Sequence, residues 1–287
     1  MIGDLAATMA ALEAVMVPEP LAERPTGIKV GVDLGTAYTV LIALDADDRP
    51  LAAVYEFADV VRDGVVTDFV GAIDLVRRLK RKAELRLGVP ILAAHGAYPP
   101  GVARSEVRAV QHVIEAAEME CTGLVDEPTA ANAVLRLRDG IVVDVGGGTT
   151  GVAVVQDGVV VHTADEPTGG THLTLVIAGA LGISFDEAEA LKKDPQQQSR
   201  LFPLIRPVME KVASILTTAT RGWPTPMAYL VGGTASFPGF AEVVTEASGI
   251  DTVVPVAPLF VTPLGIARNG AVHAPSYGST ELGMVPR

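Results

Sequence analysis

The sequence has few of the residues that several protein classes require. A single cysteine, Cys121, excludes a disulfide within the chain, and no Cys/His cluster has the spacing of a zinc site. An uncharged apolar run of about 18 residues is also missing, as is a basic start followed by an apolar segment, so we expect neither a membrane span nor an export signal. These absences predict a cytoplasmic protein.

Basic residues are also scarce. Lys and Arg together number 22 against 34 Asp and Glu, which gives a formal net charge of -12. Such a surface repels nucleic acid and anionic membranes unless a basic patch is segregated. The basic run 77–82 is interleaved with Leu75, Val76 and Leu79, a pattern typical of a solvated helix with one apolar stripe. We therefore expect neither nucleic acid nor membrane as a partner.

The central part of the chain contains the same pattern twice. An apolar strand (28–32), a turn (33–36) and a second strand (38–44) are matched later by a strand (141–143), a turn (144–149) and a strand (152–155). Helices and further strands follow each pair. The sequence therefore predicts an α/β protein with two mixed lobes, residues 28–137 and 138–270, whose turns face a central cleft.

The two ends differ from this repeat. Residues 1–17 carry an apolar stripe of helical spacing, formed by Ile2, Leu5, Met9, Leu12 and Met16. Three prolines then interrupt regular structure, so residues 1–27 are predicted to be an amphipathic helix and a linker. The helix could dock in the groove of a partner protein, or pack on its own body. Residues 271–287 have no periodicity, and we predict a flexible tail.

Both turns have the composition of phosphate-binding loops. Gly146, Gly147, Gly148 and Thr149 follow a strand, and Gly35 and Thr36 follow the equivalent strand of the first half. Glycines expose successive backbone N–H groups and let phosphate oxygens approach without a Cβ in the way. One such turn could be a plain hairpin, but its recurrence favours two loops that hold a polyphosphate from opposite sides.

Carboxylates stand beside these loops. Asp33 and Asp144 end their strands, where carboxylates can hold Mg²⁺ through its water shell. Glu127 lies between a strand and a helix that begins near Pro128; it is either a partner of the helix dipole or a residue that orients water. Paired glycines, Gly232 and Gly233, follow a later strand and would let a flat ring approach the backbone.

These segments resemble the motifs of the actin/Hsp70/MreB superfamily of ATPases. Residues 31–36 are similar to its first phosphate motif, 144–149 to its second and 231–234 to its adenosine motif, while 127–131 resemble the linking segment of Hsp70 and MreB. The resemblance implies two RNase H-like lobes around a nucleotide cleft, with ATP or ADP and Mg²⁺ as ligands. Asp33 and Asp144 would lie near the metal, and Glu127 would position the attacking water.

Two departures accompany that resemblance. Gly151 stands where Hsp70 has an aspartate and MreB a glutamate, and no lysine matches the one that Hsp70 supplies from its first lobe. The short span between the early strands and residue 127 also implies that the outer subdomains are reduced. Gly151 and the missing lysine both favour a rival hypothesis, a scaffold that binds nucleotide without hydrolysing it. A small-molecule kinase would need additional subdomains.

Two further segments, 58–78 and 164–172, resemble the EutJ family of bacterial ethanolamine utilization operons. This resemblance implies a chaperone-like or assembly protein with low ATPase turnover. Its expected partners are ethanolamine utilization enzymes or microcompartment shell proteins, and it would be associated with the microcompartment. Whether the chain also forms homo-oligomers stays open.

Overall fold

The computed structural model describes residues 2–57, 59–62, 64–224 and 226–274. Of the predicted C-terminal tail, residues 275–287 lie outside the described residues. Within the described part of the chain, no helix has both the length and the apolar character needed to cross a membrane.

The first half of the chain forms one five-stranded sheet with helices. Its elements are α1 (Ile2–Ala14), β1 (Lys29–Leu34), β2 (Tyr38–Leu44), β3 (Pro50–Phe57), β4 (Val61–Arg62), β5 (Val65–Val66), α2 (Phe69–Leu87), β6 (Ala93–Tyr98), α3 (Arg104–Ala116), β7 (Glu120–Asp126) and α4 (Glu127–Leu135). The strand order is β3-β2-β1-β6-β7. Strands β1 to β3 pair antiparallel, whereas β1, β6 and β7 pair parallel.

The second half repeats this arrangement. Its elements are β8 (Gly140–Val145), β9 (Thr150–Gln156), β10 (Val159–Glu166), α5 (Gly170–Leu181), α6 (Phe185–Lys193), α7 (Pro195–Ala219), β11 (Ala228–Val231), α8 (Phe240–Ser248), β12 (Thr252–Val253) and α9 (Val261–Asn269). The order β10-β9-β8-β11-β12 is the counterpart of the first sheet, with an antiparallel part followed by a parallel part. The predicted mixed sheets of two similar lobes are confirmed.

Local sequence explains where the main helices begin and end. The Asp68 side chain accepts a hydrogen bond from the Gly71 amide and caps α2, which ends at Gly88 in the left-handed conformation. Ser184 and Glu187 form a capping box at the start of α6. Gly182, with φ of 66°, ends α5 and separates it from α6.

Each lobe has its own apolar core, and a third core lies between the two sheets. In this third core, side chains of β2 and β9 meet those of α4 and α9, among them Ile42, Ala153, Ala131 and Leu264. Val40, Val142 and Val155 are also buried there. The segment that joins α4 to β8 contains the predicted boundary between residues 137 and 138. Helix α9, although it comes from the second predicted range, packs against β1.

Helix α9 approaches its neighbours closely because glycine lies at both contacts. A Cβ on Gly31 of β1 would overlap the backbone of Ala267, whose Cα would be 2.8 Å away. A Cβ on Gly265 would overlap the carbonyl oxygen of Ala130 in α4. The helix is thus held between a strand of the first sheet and the helix that leads into the second. This places its first turn next to the end of β8.

The N-terminal helix packs on the body of the protein. Met9 and Leu12 of α1 are completely buried in the third core, where Val40, Ile42 and Leu44 also lie. Of the two interpretations of the apolar stripe, the structure agrees with packing on the chain itself. The side chain of Ile2, also part of the predicted stripe, lies outside the described residues.

Candidate functional site

The two predicted phosphate loops are the turns between β1 and β2 and between β8 and β9, and they have the same hydrogen bond. The Gly35 amide donates to the Tyr38 carbonyl over 3.1 Å, and the Gly146 amide donates to the Thr149 carbonyl over 3.0 Å. A Cβ on Gly147 would lie 2.9 Å from the Ala37 Cβ. The structure therefore brings the two loops, distant in sequence, into contact with each other.

The tips of both loops carry backbone N–H groups that the protein does not use. Within the described chain, no protein group accepts a hydrogen bond from the amides of Gly147, Gly148 and Thr149, although Gly148 is buried. The amides of Thr36 and Ala37 in the first loop are likewise unused there. Buried amides without a partner are rare in folded proteins. Gly148 is one such case, and together with the four partly exposed amides on the two touching turns it forms a site suited to an anion with several oxygens.

The carbonyl groups of the second loop are held from the opposite side. The Gly146 carbonyl accepts hydrogen bonds from the Gly170 amide (2.9 Å) and the Thr234 hydroxyl (2.7 Å). The Gly147 carbonyl accepts from the Thr171 amide over 2.8 Å. Because α5 and the turn after β11 fix these carbonyls, the loop is preorganised with its amides directed elsewhere.

Three acidic residues lie near the loops. Asp144 is buried, whereas Asp33 and Glu127 keep some exposure. Burial, followed by the negative charge of Asp144, raises the pKa of Asp33 to about 7. Burial also raises the pKa of Glu127 well above its ordinary value, and the charges of Asp144, Asp33 and Asp165 add to this. Negative charges so close together favour a bound cation.

Whether the carboxylates suit a particular cation depends on how they are arranged. Among the described residues, no three His, Cys, Asp or Glu side chains converge closely enough to enclose a metal ion. Zinc or calcium would require such a cage. Magnesium keeps several of its waters and is commonly bound by one or two carboxylates together with substrate phosphates. Asp33 and Asp144 beside the phosphate loops fit that ion.

The paired glycines after β11 lie against the second loop. Gly232 has φ of 86°, and its amide donates to the Pro258 carbonyl over 3.0 Å. A Cβ at this residue would lie 2.5 Å from the Val145 carbonyl oxygen, so only glycine fits. Gly233 begins a short 3₁₀ turn that ends at Ser236. The predicted adenosine motif is thus adjacent to the predicted phosphate loop.

Two functional residues escaped the sequence reasoning. The Thr262 hydroxyl, in the first turn of α9, donates to the Asp144 carboxylate over 2.6 Å and opposes the rise of its pKa caused by burial. Lys192 donates to the Gly170 carbonyl over 3.0 Å and pairs with Glu189 at 2.6 Å. No local pattern marks either residue, since Thr262 lies 118 positions from its partner and the lysine belongs to an ordinary helical ion pair.

Lys193, next to that lysine, reaches across the cleft. Its Nζ lies 4.3 Å from the ring centre of Phe57 and 5.1 Å from that of Tyr38, both in the first lobe. Its ammonium also pairs with Glu189 at 3.1 Å. The contact joins α6 to the edge of the first sheet and brings the lobes together at this side of the cleft.

Known proteins are similar to this chain over most of its length. The ethanolamine utilization protein EutJ of Escherichia coli K12 is 40% identical over 246 residues, which cover 85% of this chain and 87% of that protein. The crystal structure of EutJ from Carboxydothermus hydrogenoformans superposes with a TM-score of 0.87 at 45% identity, covering 93% of this chain and 98% of that one. The chain belongs to the EutJ family.

More distant matches place the EutJ family among actin-like proteins. Family models for cell division protein FtsA and for MreB/Mbl protein match residues 141–280 and 56–185. The crystal structure of MreB5 of Spiroplasma citri bound to AMPPNP has a TM-score of 0.65 at 16% identity, with coverage of 82% of this chain and 93% of that one. The predicted actin-like fold is therefore confirmed.

Proposed function

We propose that this chain binds Mg-ATP between its lobes and hydrolyses it slowly. The observation that carries the proposal is the set of unused amides on two touching turns, Thr36, Ala37 and Gly147 to Thr149. These groups are suited to the oxygens of a polyphosphate, and Gly232, of the adenosine motif, packs against the end of β8 that leads into the second loop. The AMPPNP in the MreB5 structure, on the same fold, supports a nucleotide as the ligand.

The carboxylates have distinct roles in this proposal. Asp33 and Asp144 would hold a hydrated Mg²⁺, whose positive charge would offset the negative charge of the phosphates. The raised pKa of Glu127 makes this carboxylate a better proton acceptor for water than an ordinary glutamate. Lys192 adds a positive charge beside the second loop through its contact with Gly170. ATP, ADP and Mg²⁺ are therefore the ligands we assign to the cleft.

The biological use that we propose is client handling in ethanolamine utilization. The family name supports that pathway, and lobe closure on nucleotide would present or hide a surface for a partner. Pathway enzymes or microcompartment shell proteins are the partners, in the cytoplasm. The lobe contact of Lys193 with Phe57 supports a closure of this kind. This is a chaperone-like or assembly role.

One specific observation favours a second candidate, a nucleotide-dependent scaffold without turnover. Gly151 has no side chain at a position beside the carboxylates, so it cannot itself orient water. In this alternative, bound ATP only fixes the relative position of the lobes.

A steady-state phosphate-release assay, combined with calorimetric titration of Mg-ATP, separates the two. We expect slow release by the wild type, loss of release in Asp144→Asn, and wild-type release in Asp186→Asn, a surface residue of α6. Tight binding without release would favour the scaffold. If neither ATP nor ADP binds with Mg²⁺, the nucleotide proposal is wrong.

A further inference from the structure

A row of side chains across the second sheet contains an acidic residue that the proposed function does not use. Asp144 of β8 pairs directly with Gly151 of β9, and Gly151 pairs directly with Asp165 of β10. Directly paired residues direct their side chains to the same face of a sheet. Asp144 and Asp165 therefore share the face that looks toward the first lobe, with a glycine between them.

The glycine leaves a space between the two carboxylates. Neighbouring strands are about 4.8 Å apart, so the backbones of Asp144 and Asp165 are separated by roughly twice that distance. A Cβ at Gly151 would lie 3.6 Å from the Asp165 Oδ1 and 3.7 Å from the Cδ of Pro100, which belongs to the first lobe. The Asp165 carboxylate thus borders the space that the missing side chain would have entered.

The charge of Asp165 also influences the residue assigned to the attacking water. It contributes to the raised pKa of Glu127, together with the charges of Asp33 and Asp144. Glu127 begins α4 in the first half, whereas Asp165 is near the end of β10 in the second. Carboxylates from both halves of the chain are therefore close enough to influence each other. Each can accept a hydrogen bond from a water molecule.

We propose that Asp165 is a further catalytic carboxylate, which with Glu127 binds and orients the attacking water in the space above Gly151. The inference rests on the proposed ATPase function and deepens it. In the step, the water oxygen forms a bond to the γ-phosphorus as the bond from that phosphorus to the bridging oxygen breaks. ADP leaves, and the water proton passes through a carboxylate to solvent, so that ATP and water give ADP, phosphate and a proton. Asp165 thereby supplies from β10 the carboxylate that Gly151, which has no side chain, cannot supply from β9.

The test compares hydrolysis with binding in the full chain. For Asp165→Asn we expect kcat to fall about 10- to 100-fold, at the lower end of general acid–base effects because Glu127 remains, while KM changes less than about threefold. Glu166→Gln is the matched control, since this neighbour is exposed and points to the other face. Its kcat should equal that of the wild type. Melting temperatures check that each variant is folded.

A second variant distinguishes catalysis from a structural role. Gly151→Asp in the Asp165→Asn background returns a carboxylate to the same space from the neighbouring strand, and it should restore part of kcat. A purely structural aspartate would not be replaced from another strand.

Four outcomes would overturn the inference. An unchanged kcat in Asp165→Asn would do so, as would an equal loss in Glu166→Gln. Tight Mg-ATP binding by the wild type without phosphate release would reject the role of Asp165 and leave the nucleotide site in place. Failure of the wild type to bind Mg-ATP would instead reject the proposed function, and the inference with it.

Discussion

The hydrogen bond between Thr262 and Asp144 should stabilise the protein more than the hydrogen bond of an ordinary buried threonine does. The two residues are only 4% and 8% exposed, and the hydroxyl donates to the carboxylate over 2.6 Å. Hydrogen bonds to charged groups contribute about 1.5–3 kcal/mol, against about 0.5–1.5 kcal/mol for neutral pairs. Thr262→Val keeps the shape of the side chain and leaves a buried carboxylate oxygen without its donor. We expect a loss in that higher range.

The effect is measurable as a melting temperature. For a protein of this size, each kcal/mol corresponds to about 2–4 °C, so Thr262→Val should melt about 3–12 °C below the wild type without nucleotide. Thr220→Val is the matched control, because Thr220 is also 4% exposed and its hydroxyl donates only to the Leu216 carbonyl, at 2.8 Å. The melting temperature of this control should fall by at most a few degrees.

A conservative variant separates the hydroxyl from the methyl group. Thr262→Ser retains the donor and loses one methyl, which removes about 0.8 kcal/mol of apolar burial. It should therefore melt above Thr262→Val. If Thr262→Val melts no lower than Thr220→Val, the hydroxyl does not stabilise the Asp144 carboxylate and the reasoning is refuted.

Two more predictions concern packing. Gly265→Ala should lower the melting temperature, because the new Cβ would overlap the Ala130 carbonyl and push α4 away from α9, at a cost of about 1–3 kcal/mol or more. Gly179→Ala in α5 is the control, since a Cβ there meets nothing within 4 Å. This variant should gain up to about 1 kcal/mol of stability. Equal melting of the two variants would contradict the close crossing. Leu12→Ala should cost about 2–5 kcal/mol because Leu12 is fully buried, whereas exposed Glu13→Ala should change little. An unaltered melting temperature in Leu12→Ala would mean that α1 is not part of the core.

The strands and turns around the site could be predicted because their signals are local. The β2 strand was predicted at its observed bounds, Tyr38–Leu44, since an apolar run is bounded by a glycine turn and by aspartates. Strand β3 and helix α9 were not predicted. Helix α9 contains glycine and proline, which have low helix propensity, so its sequence does not indicate a helix. Close packing against β1 and α4, which needs small residues at the contacts, stabilises it.

For the candidate site, residue types and chain order came from the sequence. The repeated Asp-x-Gly-x-Thr pattern placed Asp33 and Asp144 at strand ends, and the structure agrees. The apolar stripe of the N-terminal helix could also be recognised in the sequence, but the surface that it packs against could not. An amphipathic helix indicates only that one of its faces is covered. Burial of Met9 and Leu12 in the third core answers that question.

What the sequence determined by itself was a pair of similar α/β halves, each with a glycine turn and a carboxylate, since strand period, turn chemistry and repetition are all local properties. What only the tertiary structure decided was which distant groups meet. The Thr262 hydroxyl donates a hydrogen bond to Asp144, and Lys193 of the second lobe contacts Phe57 of the first. Such contacts depend on sheet register and on the packing of one lobe against the other, and no local pattern encodes them.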